Sequence, residues 1–236
     1  MSYYNGPKTV TSGLTLCLDV ANPKSYPGAG TVWYDLASNL VFNSTGTTTP
    51  VETMGGAKSF AFNGSGYWYC SSGYSAVDLG GDCTLIMWLY NEGLTTRRTV
   101  FEKTGTSYAS YEQELAVTWE TSNYYSYYSR YSSYDYSDSN GPITLNAWSM
   151  NALKMSTGKS ALARTGFYSK NGSLWTSNYV SRSSTAVTSS TNINIGTGYA
   201  GTVETGNVAM VMAYNKMLTD SEIQQVYSAT KGRFGL

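Results

Sequence analysis

Apolar and polar residues alternate along much of this chain with the two-residue period of a strand. Leu14, Leu16 and Leu18 interleave with Thr15, Cys17 and Asp19, which predicts a half-buried strand. Val32 to Leu36 reads as a short ordered piece. Ser59 to Phe62 and Tyr67 to Cys70, on either side of Asn63-Gly64-Ser65-Gly66, predict a hairpin around a glycine-rich turn. Cys83 to Tyr90 is apolar almost throughout, as expected of a central strand. Thr99 to Glu102 follows, then Glu112 to Trp119 and Tyr124 to Tyr131 as a further hairpin. Ala147–Met155, Ala161–Tyr168, Asn192–Ile195 and Val203–Tyr214 complete the strands. Residues 43–50 and the stretch from Asn22 to Gly30 read as loops.

One helix breaks the pattern. Thr219-Asp220-Ser221-Glu222 is a capping box, in which the Thr219 hydroxyl accepts from the Glu222 amide and Glu222 reaches back. Ile223, Val226 and Tyr227 then share a face, and Gly232 is the expected stop. Turn signals come about every 8–15 residues, which fits a sandwich or jelly roll better than alternating strands and helices. Residues 1–12 are polar and aperiodic and read as an arm; 13–236 read as one domain.

Composition sharpens this picture. The chain has 236 residues, 22 Tyr, 24 Gly and no His, with 15 basic and 15 acidic residues. The missing histidine excludes Ser-His and Cys-His nucleophiles and His-ligated metals. Zero net charge argues against a nucleic-acid partner, which needs a basic surplus on one face. Leu85 to Tyr90, the longest apolar run, is far short of the ~20 residues that span a bilayer, so membrane insertion is not expected. Met1-Ser2-Tyr3-Tyr4-Asn5 lacks the features of a signal peptide. Cys17, Cys70 and Cys83 lie in strand-like stretches and read as buried free thiols, with a Cys70–Cys83 bridge as the alternative. These features together fit synthesis in a reducing cytoplasm. Asn43, Asn63 and Asn171 begin glycosylation sequons that read as chance matches in so serine-rich a chain.

Residues 121–140 stand out. Seven tyrosines lie between Tyr124 and Tyr136, mixed with serine. Tyrosine offers a large amphipathic surface at low rotamer cost, and its ring can stack on sugar C–H faces. In a strand, Tyr125, Tyr127 and Tyr131 share one face with Ser129, while Tyr124, Tyr128 and Arg130 share the other with Ser126. Three readings stay open: ordinary half-buried strand tyrosines, a protein–protein contact, and a glycan platform. Tyr134 and Tyr136, and Tyr3 and Tyr4 of the arm, join the candidate contact set.

The C-terminal stretch Asn192-Ile193-Asn194-Ile195-Gly196, followed by Gly206 to Ile223 with Tyr214-Asn215-Lys216-Met217-Leu218, resembles the closing motif of laminin-G-like (concanavalin A-like) jelly rolls. Thr84 to Leu89, Leu145-Asn146-Ala147-Trp148 and Tyr168 to Gly172 resemble further strands of that family. Gly13–Asp19, Ser25–Gly28, Trp33–Leu36 and Ala229–Leu236 are similar to stand-alone members from bacteriophages. The resemblance covers roughly residues 13–236. It departs where the family often places His after the tryptophan: here Trp148 is followed by Ser149-Met150-Asn151.

The resemblance implies an all-β, concanavalin A-like (laminin-G-like) jelly-roll sandwich of two antiparallel sheets with one short C-terminal helix. It implies a bacteriophage virion protein, made in the host cytoplasm, decorating the capsid or attached to the tail. Its partners would be other capsid or tail subunits in an oligomeric assembly, with weak adhesion to host cell-surface glycan. The alternative is a carbohydrate-binding adhesin for host recognition. An enzyme is not expected. Related β-glucanases carry acids at i, i+2 and i+4 or i+5 of one strand; Glu112 and Glu114 supply two, but Ala116 and Val117 stand where the third would be. No cofactor is expected. Calcium occurs in some relatives, but Asp78, Asp82, Asp135 and Asp138 form no dense cluster, so no calcium site is assigned.

Overall fold

The run Cys83–Tyr90 has no alternation because both of its faces are covered. In the computed structural model it forms strand β7, with Cys83, Leu85, Met87 and Leu89 in one apolar cluster and Ile86 and Trp88 in another. The structure describes residues 8–46, 49–52, 57–92, 98–105, 113–119, 124–130, 136–142, 144–157, 164–175, 190–197 and 205–236.

The strands are β1 (Leu14–Asp19), β2 (Val32–Tyr34), β3 (Val41–Thr45), β4 (Thr49–Glu52), β5 (Lys58–Asn63), β6 (Tyr67–Cys70), β7 (Cys83–Tyr90) and β8 (Arg98–Gly105). They continue with β9 (Gln113–Trp119), β10 (Tyr124–Arg130), β11 (Tyr136–Pro142), β12 (Trp148–Thr157), β13 (Arg164–Lys170), β14 (Ser173–Trp175), β15 (Ser190–Ile195) and β16 (Thr205–Tyr214). Helix α1 spans Asp220–Thr230. The first sheet runs β14-β13-β12-β7-β16-β5-β4, with β1 also on β16; the second runs β11-β10-β9-β8-β15-β6-β3-β2. This is the all-β jelly-roll sandwich of two antiparallel sheets, with one short C-terminal helix, that the sequence implied.

Between the sheets lies the main core, where Trp33, Phe60, Trp68 and Tyr26 meet mostly edge to face. Such pairs add roughly 0.5–1.5 kcal/mol each beyond burial. Lys103 also lies on the core side, in register with Ile193 and Leu115, and its ammonium donates to the Val77 carbonyl. The second cluster covers the far side of the first sheet. There α1 and the chain end press Ile223, Val226 and Phe234 against Trp88, Trp148 and Met212. Of the arm, Val10 is buried in this cluster and its carbonyl accepts from the Tyr214 hydroxyl at 3.0 Å.

Three expectations are corrected. Residues 59–62 and 67–70 are not a hairpin: β5 pairs with β4 and β16, whereas β6 pairs with β3 and β15 in the opposite sheet. The glycine-rich turn carries the chain across the sandwich, so that Phe60 and Trp68 face each other in the core. Residues 43–50 are not simply a loop, since β3 and β4 run into them. Finally, the chain does not stop at Gly232. A 3-10 turn continues to Phe234, and Gly235 takes the left-handed conformation instead. All three cysteines are free, so the alternative Cys70–Cys83 bridge is not formed.

Candidate functional site

Alternation fixes which side chains the second sheet turns away from the core. Trp33, Phe42, Trp68, Ile193, Ile195, Phe101, Leu115 and Val117 point inward. Their neighbours along each strand therefore point outward: Val32 and Tyr34, Val41 and Asn43, Tyr67 and Tyr69, Asn192 and Asn194, Glu102, and Ala116 and Thr118. Pairing then aligns one residue from each strand. Val32 pairs with Asn43, Asn43 with Tyr69, Tyr69 with Asn194, and Asn194 with Glu102. Glu102 pairs with Ala116, Ala116 with Tyr128, and Tyr128 with Tyr136. A single row thus crosses all eight strands of the sheet.

The chemistry of this face is aromatic and polar. The Tyr67 and Tyr69 rings lie 6.2 Å apart, tilted by 58°, and both are half-buried. Tyr34 is 42% exposed and its cross-strand partner Val41 41%. Asn43 is exposed and Asn194 half-exposed, so amide donors and acceptors alternate with rings. Towards the middle of the sheet Glu102, Ala116, Thr99 and Thr118 are buried. An aromatic face beside amides suits sugars, which present C–H faces and hydroxyl edges.

The tyrosine-rich segment is brought to this sheet as the β9–β10–β11 meander. By register Tyr128 pairs with Ala116 and Arg130 with Gln113, with a shift in register between them. Tyr127 is in register with the core residue Val117, and Tyr125 with Trp119. Tyr136 opens β11 opposite Tyr128. Tyr3, Tyr4, Tyr131 and Tyr134 lie outside the described residues. Tyr34, Tyr67, Tyr69, Asn43 and Asn194 were not among the contact residues expected from the sequence. The signal was available in Tyr67-Trp68-Tyr69, where a core tryptophan forces both neighbours outward.

Other candidate chemistry is structural. Among the described residues no group of three or more His, Cys, Asp or Glu could hold a metal ion. Asp78 accepts from the Gly80 amide at 2.9 Å and closes its own turn. The Asp35 carboxylate accepts from the backbone N–H groups of Cys17, Ala37, Ser38 and Leu40, tying β1 to the β2–β3 loop. Burial, with the charges of Asp19 and Asp35 alongside, pushes the Cys17 thiol up to about 12, so it stays protonated and unreactive. Glu112 lies outside the described residues. Among these no helix is long and apolar enough to cross a membrane.

No protein-family model matches the chain, and no curated protein matches its sequence. Solved structures do match. Trypanosoma rangeli sialidase in complex with the inhibitor DANA is similar over 93% of this chain and 33% of its own, at 18% identity and a TM-score of 0.66. The binding domain of botulinum neurotoxin DC in complex with rat synaptotagmin II matches 93% of this chain and 52% of its own, at 10% identity and a TM-score of 0.66. Domain 4 of AbnA, a GH43 extracellular arabinanase from Geobacillus stearothermophilus, in complex with arabinotriose, matches 92% of this chain and 98% of its own, at 15% identity and a TM-score of 0.64. The chain spans about a third of the sialidase. Likeness at these identities concerns the fold.

One expectation is overturned by these similarities. The sequence argued against an enzyme, yet a sialidase and a domain of an arabinanase are among the similar structures. The absence of histidine and of a third strand acid excludes particular mechanisms only, and the fold is shared with chains of glycosidases. The exclusion of enzymatic activity is therefore withdrawn, and the chain is a two-sheet β-sandwich whose fold is similar to those of these structures.

Proposed function

We propose that this chain binds carbohydrate on the outer face of its second sheet. The observation that carries the reading is the alignment of Asn43, Tyr69 and Asn194 in one cross-strand row, with Tyr67 and Tyr34 on the same face. Tyrosine rings would take the C–H face of a sugar, while the Asn43 and Asn194 amides would meet its hydroxyls. The arabinotriose complex of the similar arabinanase domain supports the reading, because that domain matches this chain over nearly its whole length. Retention of the purified chain on immobilised arabinan, β-glucan, dextran, mannan and bacterial lipopolysaccharide tests it. Retention on at least one is expected; passage through all of them overturns it.

The protein's setting in this proposal is a bacteriophage virion, on the capsid or tail, where glycan binding holds the particle to its host. The phage-like motifs at both ends of the sequence support that setting. Contact with neighbouring virion subunits is the second reading. It is favoured by the position of β11, which ends the second sheet beside the tyrosine-rich β10. Mass spectrometry of purified virions tests the setting: the chain is expected among their structural proteins, and its absence rejects it.

A further inference from the structure

We propose that Asn63 is a site of spontaneous deamidation: in the folded protein its side-chain amide loses ammonia, leaving aspartate and isoaspartate in the turn between β5 and β6. The tripeptide Asn-Gly-Ser occurs twice in the chain, at 63–65 and at 171–173. The two copies have the same local chemistry, so a difference between them comes from the fold.

The reaction is a ring closure. The Gly64 backbone nitrogen gives its proton to base and attacks Cγ of Asn63. As the N–Cγ bond forms, negative charge passes to Oδ1. The Cγ–Nδ2 bond then breaks, and ammonia leaves with a proton from solvent. Water opens the resulting succinimide at either carbonyl. One opening gives aspartate; the other gives isoaspartate, which carries an extra methylene in the main chain. Nothing is oxidised or reduced. Glycine gives access, because no Cβ shields the attacking nitrogen.

The fold favours this step at Asn63. Its Oδ1 accepts from the Ser65 hydroxyl at 2.6 Å and from the Ser65 backbone N–H at 3.1 Å. A bond to the amide two residues on folds the side chain back over the intervening peptide, which contains the Gly64 nitrogen. Both donors meet the oxygen on which charge develops, so they hold the intermediate more strongly than the neutral amide. Asn63, Gly64 and Ser65 are all exposed, which admits base and water. Asn63 ends β5, and its partner Thr205 begins β16. Strand ends open readily, so the rotation that closure needs disturbs only the last pair.

The second copy is locked. Asn171 and Gly172 form the two-residue turn between β13 and β14, where Lys170 pairs with Ser173. Their φ values of +50° and +75° are those of the hairpin turn that favours Asn-Gly. The Asn171 N–H donates to the Met150 carbonyl at 2.9 Å, and Asn171 Oδ1 accepts from the Met150 N–H at 2.8 Å. Helix α1 covers Gly172: a Cβ there would stand 2.2 Å from Gln224 Oε1. Closure at Asn171 would break the side chain's bond to Met150 and move the turn against α1.

The product matters because the first turn has little slack. A Cβ at Gly46 would stand 2.2 Å from the Ser65 carbonyl oxygen, and Gly66 is buried. Isoaspartate lengthens the backbone at this point, so the modified fraction is expected to unfold at lower temperature.

The test holds the full chain in warm, mildly alkaline buffer. Peptide mapping by mass spectrometry follows both sites, and a protein isoaspartyl methyltransferase reports isoaspartate. Asn63 is expected to convert roughly tenfold or more faster than Asn171 in the folded chain, and the two rates to converge in denaturant. Ser65→Ala is expected to slow Asn63 by roughly threefold or more, less than the loss of a donor from a buried oxyanion hole, with Asn171 unchanged. Equal rates at the two sites in the folded chain, or a faster rate at Asn171, overturn the proposal. A rate at Asn63 that Ser65→Ala leaves unchanged overturns the role given to the hydroxyl. The comparison of the two sites needs no variant, so it decides the proposal even if Ser65→Ala does not fold.

Discussion

Tyr69 and Glu102 are both in register with Asn194, one on each of its neighbouring strands, so an aromatic ring and a carboxylate stand two strands apart on one face. Two strand spacings are roughly 10 Å. Glu102 is buried, so the accessible hydrogen-bonding group beside Tyr69 is the Asn194 amide, one spacing of about 5 Å away.

Tyr69 is half-buried and faces away from the core, so Tyr69→Ala removes contact surface without opening a cavity. Its loss is expected to lower polysaccharide affinity by a factor of ten or so, on the order of 1–2 kcal/mol for a contact residue of this kind. Thermal unfolding should stay within a few degrees of wild type. Tyr26→Ala is the contrast: that ring lies in the core against Phe60 at 4.8 Å, and its removal should lower stability first. A Tyr69→Ala variant that folds and binds as tightly as wild type would remove the row from the proposed site.

The far side of the first sheet makes a different prediction. Trp88 stacks on Phe234 with ring centroids 3.9 Å apart, and its indole N–H donates to the Thr230 hydroxyl at 2.9 Å. Thr230→Val keeps the shape and leaves that N–H buried without its acceptor. The expected cost is about 1–3 kcal/mol. Trp88→Ala should cost roughly 3–5 kcal/mol and loosen the chain end with it. Denaturant unfolding of both variants checks the order; equal losses would show that the hydrogen bond is not separable from the packing.

How far such details were visible in the sequence depends on their range. The capping box at Thr219–Glu222 is local, and it forms as the spacing predicts, with Thr219 accepting from Glu222 and Glu222 from Thr219. The doubly buried β7 was legible too, because covering both faces abolishes alternation. Which edges pair was not legible. The turn at 63–66 looks the same whether its strands join one sheet or two, and only the partners β16 and β15, far along the chain, decide it. The site suffered similarly. The density of tyrosine marks residues 124–136, whereas the row that unites Tyr128 with Tyr69 arises from pairings among five strands. β11 escaped notice because Ser-Asp-Ser-Asn-Gly-Pro is poor in strand formers.

Glu222 gives stability a pH dependence of known sign. The Lys216 ammonium, 2.7 Å from its carboxylate, is the main reason its pKa is held below the ordinary value, and the Thr219 backbone N–H adds to this. A carboxylate depressed in the folded state contributes stability that is full above its unfolded pKa. That contribution is lost as pH falls through the folded value. Glu222→Gln should therefore be less stable than wild type near neutral pH, and the gap should close in acid, below the usual carboxylate range of about 4. Thermal melts of the two proteins across that range check it. A gap that widens in acid would contradict the assignment.

Gly196 follows β15, two residues beyond Asn194, and its backbone φ is +88°. A Cβ there would stand 2.1 Å from the Phe62 ring, which is buried in the core. Gly28 has a similar φ of +98° but nothing within 4 Å of the corresponding point. Gly28→Ala thus meets backbone strain alone, expected at roughly 1–2 kcal/mol. Gly196→Ala meets the same strain and a collision with an aromatic ring on the opposite sheet. Phe62 cannot retreat without disturbing β5, so the loss should exceed that of Gly28→Ala by at least the ~1–3 kcal/mol typical of overpacking. The displacement would also reach Asn194 through β15. Gly196→Ala is therefore expected to weaken polysaccharide retention as well as stability, whereas Gly28→Ala should lower stability and leave retention unchanged. Unfolding and retention measured on both variants separate the two effects; equal stability losses would mean that Phe62 yields without cost.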